Sequence, residues 1–222
     1  MAYWKSAVRQ REYRHKGELL REPSYRYKGG IDAQALLGKA NSELREANVE
    51  AYKILLLTLV CGLRRTEADL LLWSSFDFSN RCIHVVATEY YGLKSKSSEG
   101  VTYFSEDVCD FFRDCYERRA GDFVLESSKP PLRHQVTYQY HRAEKAQREL
   151  IAWLRENGVK ARSPIHSLRK EFGSLINQVY GIHTASSALR HSTVTVTESH
   201  YICQKVKPVI ALGLKCESGR SF

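Results

Sequence analysis

The chain has 222 residues, 43% of them apolar and 11% aromatic, which suffices for one large domain or two small ones around a packed core. Its 34 Lys and Arg against 25 Asp and Glu leave a formal charge of +9, an imbalance that favours a polyanionic partner: nucleic acid first, an acidic membrane surface second. The longest apolar run, residues 54–63, is too short for the roughly 18 residues of a membrane span, and no apolar stretch follows the N-terminal charges. A soluble, cytoplasmic protein without a membrane partner is therefore expected.

Residues 1–30 hold eight Lys or Arg against three Glu, with aromatic residues between them, and end at Gly29-Gly30. They read either as a basic arm or linker or as a solvated tail. From Ile31 the apolar spacing turns helical. "IDAQALLGKANSEL" predicts a helix with Asp32 as N-cap, and "NVEAYKILLLTLVCGL" a second one closed by Gly62. A short third helix starts at Thr66. The runs "FDF", "RCIHVVATEY" and "GVTYFS" are β-branched and aromatic, and the polar segment "GLKSKSSEG" separates the last two. They predict a small three-stranded antiparallel sheet with a long hairpin tip.

Helix returns after Ser105 in "EDVCDFFRDCYERRA" and again in the long amphipathic "YHRAEKAQRELIAWLRENG", ending at Gly158. Three shorter helices are expected over 166–180, 184–190 and 194–202. This order, helices then a small sheet then helices, gives an α+β fold that is mainly helical. The six cysteines show no CxxC pairing and read as reduced thiols.

Four stretches carry chemistry-bearing residues. In "CGLRRTEADLL", Arg64 sits in the turn after Gly62 with Glu67 three positions on, so a planar fork can be aimed at a phosphate and steadied by a carboxylate. In "GLKSKSSEGVTYF", Lys94 and Lys96 lie on the hairpin tip, placed either for solubility or to deliver a proton to a leaving oxygen. In "HSLRKEFG", His166 and Arg169 share one helix face. In "LRHSTVTVTESHY", His191 and Tyr201 lie ten apart, and a tyrosine nucleophile needs a base or cations to stabilise its phenolate. Each stretch alone has an ordinary structural explanation, such as a surface ion pair or a capping histidine.

Together and in this order, "GLRRTE", "LKSKSS", "HSLR", "LRHST" and Tyr201 resemble the tyrosine recombinase, or phage integrase, family. The resemblance runs from about Ile31 to Tyr201. It implies a catalytic domain over 31–202, after the arm of 1–30 and before a tail of 203–222 that packs on a neighbouring protomer or folds back on its own domain. It implies breakage and rejoining of double-stranded DNA at a specific site by a homo-oligomer, dimer or tetramer. Tyr201 would form a 3′-phosphotyrosyl link while Arg64 and Arg169 grip the non-bridging oxygens, where charge builds in the transition state. Lys94, or Lys96 if the register slips by two, would protonate the departing 5′-oxygen. His166 would take the tyrosine proton, His191 would donate to the phosphate, and Glu67 would orient the corner. Arg65, Lys96, Lys170 and Arg190 are further expected DNA contacts.

No metal, ATP or other cofactor is expected, because arginines do the neutralising and the covalent link conserves the bond. A metal hydrolase is disfavoured, since His134/His141 and His183/His191 lack a carboxylate at ligand spacing. Alternatives on the same fold are a DNA-binding regulator without chemistry, a type IB topoisomerase or a telomere resolvase. Among the chain's departures from the family pattern, Glu99-Gly100 stands where an Arg is common beyond the hairpin lysine, and Arg190 stands where a Gly usually precedes the second histidine. The latter helix end is therefore expected to close without a left-handed glycine.

Overall fold

The computed structural model describes residues 30–92, 99–132 and 140–190. Lys94, Lys96, His191 and Tyr201 lie outside the described residues, as do most of the basic arm, the expected helix over 194–202 and the tail of 203–222.

Helix α1 spans Ala33–Glu43, and the Asp32 carboxylate accepts from the Ala35 N–H at 3.0 Å. Helix α2, Val49–Leu59, is capped by Asn48, whose side chain accepts from Ala51 N–H at 3.1 Å. Every residue from Ala51 to Leu59 is buried, so α2 is the central rod of the domain and is covered on all sides. Even Lys53 is buried: its ammonium bonds Glu50 at 2.8 Å and the Val124 carbonyl at 3.1 Å. A short helix α3, Arg65–Asp69, follows the corner, and a 3-10 turn over Trp73–Ser75 leads into the sheet.

The sheet has the expected three antiparallel strands in the order β1 (Phe76–Asp77), β2 (Cys82–Val85), β3 (Gly100–Tyr103). Cys82 pairs with Tyr103 and Val85 with Gly100, so residues 86–99 form the connection from β2 to β3. Strand β2 stops at Val85 rather than running on to Tyr90. The Thr88 hydroxyl accepts from the Tyr90 and Tyr91 N–H groups, which folds that segment into a local turn instead of a ladder. Trp73, Phe76, Phe104 and Phe112 form an aromatic cluster under the sheet, with ring centroids 5.1–6.4 Å apart.

Helix α4, Glu106–Glu117, buries Val108, Cys109, Phe111, Phe112 and Cys115 on one face. Helix α5, Glu144–Glu156, starts four residues later than its amphipathic pattern predicts. The cause lies across the fold: the buried Asp69 carboxylate at the end of α3 takes the N–H groups of Arg142 and Ala143, both at 2.8 Å, and the Gln147 side-chain amide at 3.1 Å. A carboxylate in this position serves α5 as a cap borrowed from another helix. Helix α6, Pro164–Ala188, begins with Pro in its first turn and is broken at Gly181, φ 83° and ψ 169°. The break separates the two helices expected over 166–180 and 184–190. The four described cysteines, Cys61, Cys82, Cys109 and Cys115, are buried thiols without disulfides. Among the described residues no helix is long and apolar enough to cross a membrane.

Candidate active site

The site is assembled at the end of α2. Gly62 turns the chain with φ +64°, a left-handed conformation that L side chains rarely adopt, and the Phe172 ring of α6 fills the space where its Cβ would lie. A helix end leaves carbonyls without intrahelical donors. Here two of them draw distant elements together: the Thr102 hydroxyl of β3 donates to the Cys61 carbonyl at 2.7 Å, and Arg169 of α6 donates to the Gly62 carbonyl. Corner, sheet and α6, which supply three of the four candidate stretches, thus meet at one helix terminus.

Glu67, 3% exposed, is the hub. Its Oε1 accepts from Arg64 Nη1 at 2.5 Å; its Oε2 accepts from the Arg64 backbone N–H at 2.7 Å and from Arg190 Nη2 at 2.6 Å. Arg169 Nη1 stands 3.9 Å from the same Oε2. Burial alone would push the Glu67 carboxyl up. Arg190, the Arg64 backbone N–H, and the Arg64 and Arg169 charges outweigh it and hold the carboxyl below its ordinary value. Three guanidiniums therefore face one carboxylate, and the unbalanced positive charge suits an anionic ligand. Burial pushes the Arg169 guanidinium down to about 9 while Glu67 opposes the shift, so Arg169 stays a cation at neutral pH. Arg64 is the most open of the three, with 28% of its side chain exposed.

His166 is exposed on α6, one turn before Arg169. Partial desolvation, then the cations of Lys170, Arg169 and Arg64, lower its pKa and favour the neutral imidazole. Lys170 is partly exposed on the next turn. The structure thus brings Arg64, Glu67, Arg169 and His166 to one place.

Two expected DNA contacts are turned differently. Arg65 points toward α5, its Nε donating to Gln147 at 2.5 Å, because Gln147 belongs to the Asp69 network. Arg190, 4% exposed as Arg169 is 3%, differs in that its guanidinium is committed to Glu67 at 2.6 Å. Its φ is +52°, so the helix end closes in the left-handed region after all, with an arginine where glycine is usual. Tyr91, which sequence reasoning passed over, lies beside the corner. Burial and the nearby Glu67 raise its pKa, against a hydrogen bond with the Thr66 side chain. No periodicity marks it; its position just before Gly92 and the hairpin lysines was the available signal.

Away from this site, Asp77, Cys82 and His84 bring a carboxylate, a thiol and an imidazole within 4.8 Å of one another on β1 and β2. Both Asp77 oxygens already accept from Asn80, at 2.9 Å from its N–H and 2.7 Å from its amide, so this carboxylate holds the hairpin turn.

The fold has solved counterparts. The crystal structure of XerA recombinase matches with a TM-score of 0.55 at 19% identity, covering 81% of this chain and 60% of that one. The Tn1549 transposon integrase in complex with transposon right end DNA matches with a TM-score of 0.57 at 18% identity, covering 83% of this chain and 64% of that one. The chain thus spans less than two thirds of the length of either. No curated protein matches the sequence. Residues 31–207 match the phage integrase family, which takes in the corner, the hairpin, α6 and the stretch through Tyr201; the chain belongs to that family.

Proposed function

We propose that this chain is the catalytic domain of a site-specific recombinase or integrase that breaks and rejoins double-stranded DNA through a 3′-phosphotyrosyl intermediate. The observation that carries the reading is the meeting of Arg64 and Arg169, remote in sequence, around the buried carboxylate of Glu67. The Tn1549 integrase, solved in complex with transposon DNA, supports duplex DNA as the substrate, and the chain's charge of +9 agrees with it.

In this mechanism the Tyr201 oxygen attacks the scissile phosphorus and its proton passes to His166. The bond from phosphorus to the 5′-oxygen breaks as the tyrosyl bond forms, and Lys94 protonates the departing oxygen. Arg64 and Arg169 neutralise the charge that develops on the non-bridging oxygens, with His191 donating beside them. One phosphoester replaces another, so resealing to a different strand needs no ATP. Since guanidiniums supply the neutralisation, cleavage proceeds in chelator. Residues 1–30 act as a basic arm on the duplex, and 203–222 pack on the next protomer of a DNA-bound oligomer.

The test is covalent capture on nicked duplex DNA, read as a detergent-resistant adduct, followed by sequencing of the trapped fragments. Wild type should trap DNA with chelator present, and Tyr201→Phe should lose trapping while keeping its DNA affinity, because only the nucleophilic oxygen is removed. Trapping that survives Tyr201→Phe would refute the assignment.

A further inference from the structure

We propose that Arg190 is a positioning residue for the strand-cleavage reaction, one that holds Glu67 and sets the two phosphate-gripping arginines apart, and that Gly100 is the vacancy which admits it. The assignment rests on the recombinase reading above. Two of the departures of the sequence from its family pattern, at positions 100 and 190, touch. A Cβ built on Gly100 would lie 3.0 Å from Cδ and 3.1 Å from Cγ of Arg190, tighter than nine in ten real contacts of that kind. The arginine that replaces glycine at 190 thus lies along the glycine at 100.

Burying a guanidinium at 4% exposure is costly unless a partner and good geometry offset it. Glu67 is that partner, at 2.6 Å, while the buried Arg190 Nε finds no hydrogen-bond acceptor among the described residues. The left-handed φ of +52° adds to the cost. A side chain kept at such expense, in a turn that touches both candidate catalytic arginines, points to a role in the site.

The turn acts in two ways. Its backbone gives acceptors to both arginines: Arg64 Nη2 donates to the Arg190 carbonyl at 3.1 Å, and Arg169 donates to the Leu189 carbonyl. Its guanidinium occupies Glu67 Oε2, the oxygen that Arg169 faces from 3.9 Å. With Oε2 taken, Arg169 stays on the carbonyls of Gly62 and Leu189 and Arg64 keeps Oε1. Without Arg190, the nearest cation able to take Oε2 is Arg169, and that movement would draw its fork off the helix end.

The experiment measures covalent complex formation and DNA affinity of the full chain on a nicked duplex carrying a sequence captured by wild type. Arg190→Gly keeps a residue at home in the left-handed turn, and hence its carbonyls, but removes the guanidinium. It should slow adduct formation about tenfold or more and leave DNA affinity within about twofold. It should also shift the acid limb of the rate profile upward, since Arg190 is the foremost charge keeping Glu67 ionised.

Arg190→Lys, which returns a cation to Glu67, should recover part of the rate, a rescue that a purely structural role does not predict. Gly100→Ala should slow the wild type but add nothing in the Arg190→Gly background, because its only effect is on the arginine stem. Unchanged rate and acid limb in Arg190→Gly, or additive effects of the two glycine-site changes, would overturn the assignment alone. A wild type that traps no DNA overturns the recombinase reading and this assignment with it.

Discussion

The hydroxyl of Thr102 donates to the carbonyl of Cys61 at 2.7 Å, joining the middle of β3 to the end of α2. Thr102 is 4% exposed, and β3 follows in sequence the segment that contains Lys94 and Lys96. Thr102→Val keeps the side-chain shape but leaves the Cys61 carbonyl without its donor. A buried acceptor stripped in this way costs about 1–3 kcal/mol. Urea unfolding should show that loss, and under the proposed mechanism the rate of DNA trapping should fall further than DNA affinity, because β3, the strand that follows the segment of Lys94 in sequence, loses its tie to the arginine corner.

Gly62 faces two constraints, its φ of +64° and the Phe172 ring packed where a Cβ would stand. An alanine in the left-handed region costs about 1 kcal/mol, and overpacking a closed contact adds about 1–3 kcal/mol. Gly62→Ala should therefore destabilise the chain by roughly 2–4 kcal/mol in denaturant unfolding. The paired change Gly62→Ala with Phe172→Leu should recover part of it, since the smaller side chain yields the space.

Much of the molecule could be read from local pattern. Asp32, the apolar run of α2 and the alternation in "CIHV" each encode their element through nearest neighbours, and the fold matched the expectation of a mainly helical domain with a three-stranded sheet. The misplaced start of α5 has a remote cause. Helix α5 begins at Glu144 because Asp69, on another helix, claims the N–H groups before it, and no periodicity within 140–158 records that. The same holds at the site. The spacing of Arg64 from Glu67 and of His166 from Arg169 is local and was legible. That Arg190 turns inward depends on Gly100 and Glu67, both remote in sequence, so a basic residue near a catalytic motif reads by default as a surface contact.

Glu67→Gln tests the hub directly. The amide keeps the shape and one acceptor oxygen but removes the carboxylate that, among the described residues, faces Arg64, Arg169 and Arg190. Deleting one partner of a buried ion pair costs about 3–5 kcal/mol, because the remaining charges stay buried. The loss should be largest near neutral pH and shrink in acid. The folded-state carboxyl is held below its ordinary value, so its contribution is present above the unfolded value near 4.5 and disappears as pH falls through the folded one. Wild type and Glu67→Gln should therefore converge in stability in strong acid. Parallel curves down to that range would mean Glu67 is not what holds the arginines.

His166 gives the pH dependence of the reaction its sign. Desolvation, with Lys170, Arg169 and Arg64 nearby, places its folded pKa below the ordinary 6.5. As the proposed base for the Tyr201 proton it must be neutral, so the rate of DNA trapping should hold as pH drops through 6.5 and decline only at the lower folded value. In stability the same shift acts in the other direction from a salt-bridged histidine. Between the folded value and 6.5 the unfolded chain binds more protons, so folding weakens as pH falls through that window. His166→Gln removes the titrating ring while keeping a polar side chain. It should lower the trapping rate roughly 100-fold or more, the scale of a lost general base, and take the His166 titration out of the acid limb, leaving the part that Glu67 sets. Single-turnover trapping measured across that range distinguishes the two proteins, and an acid limb unchanged by His166→Gln would move the base to another residue.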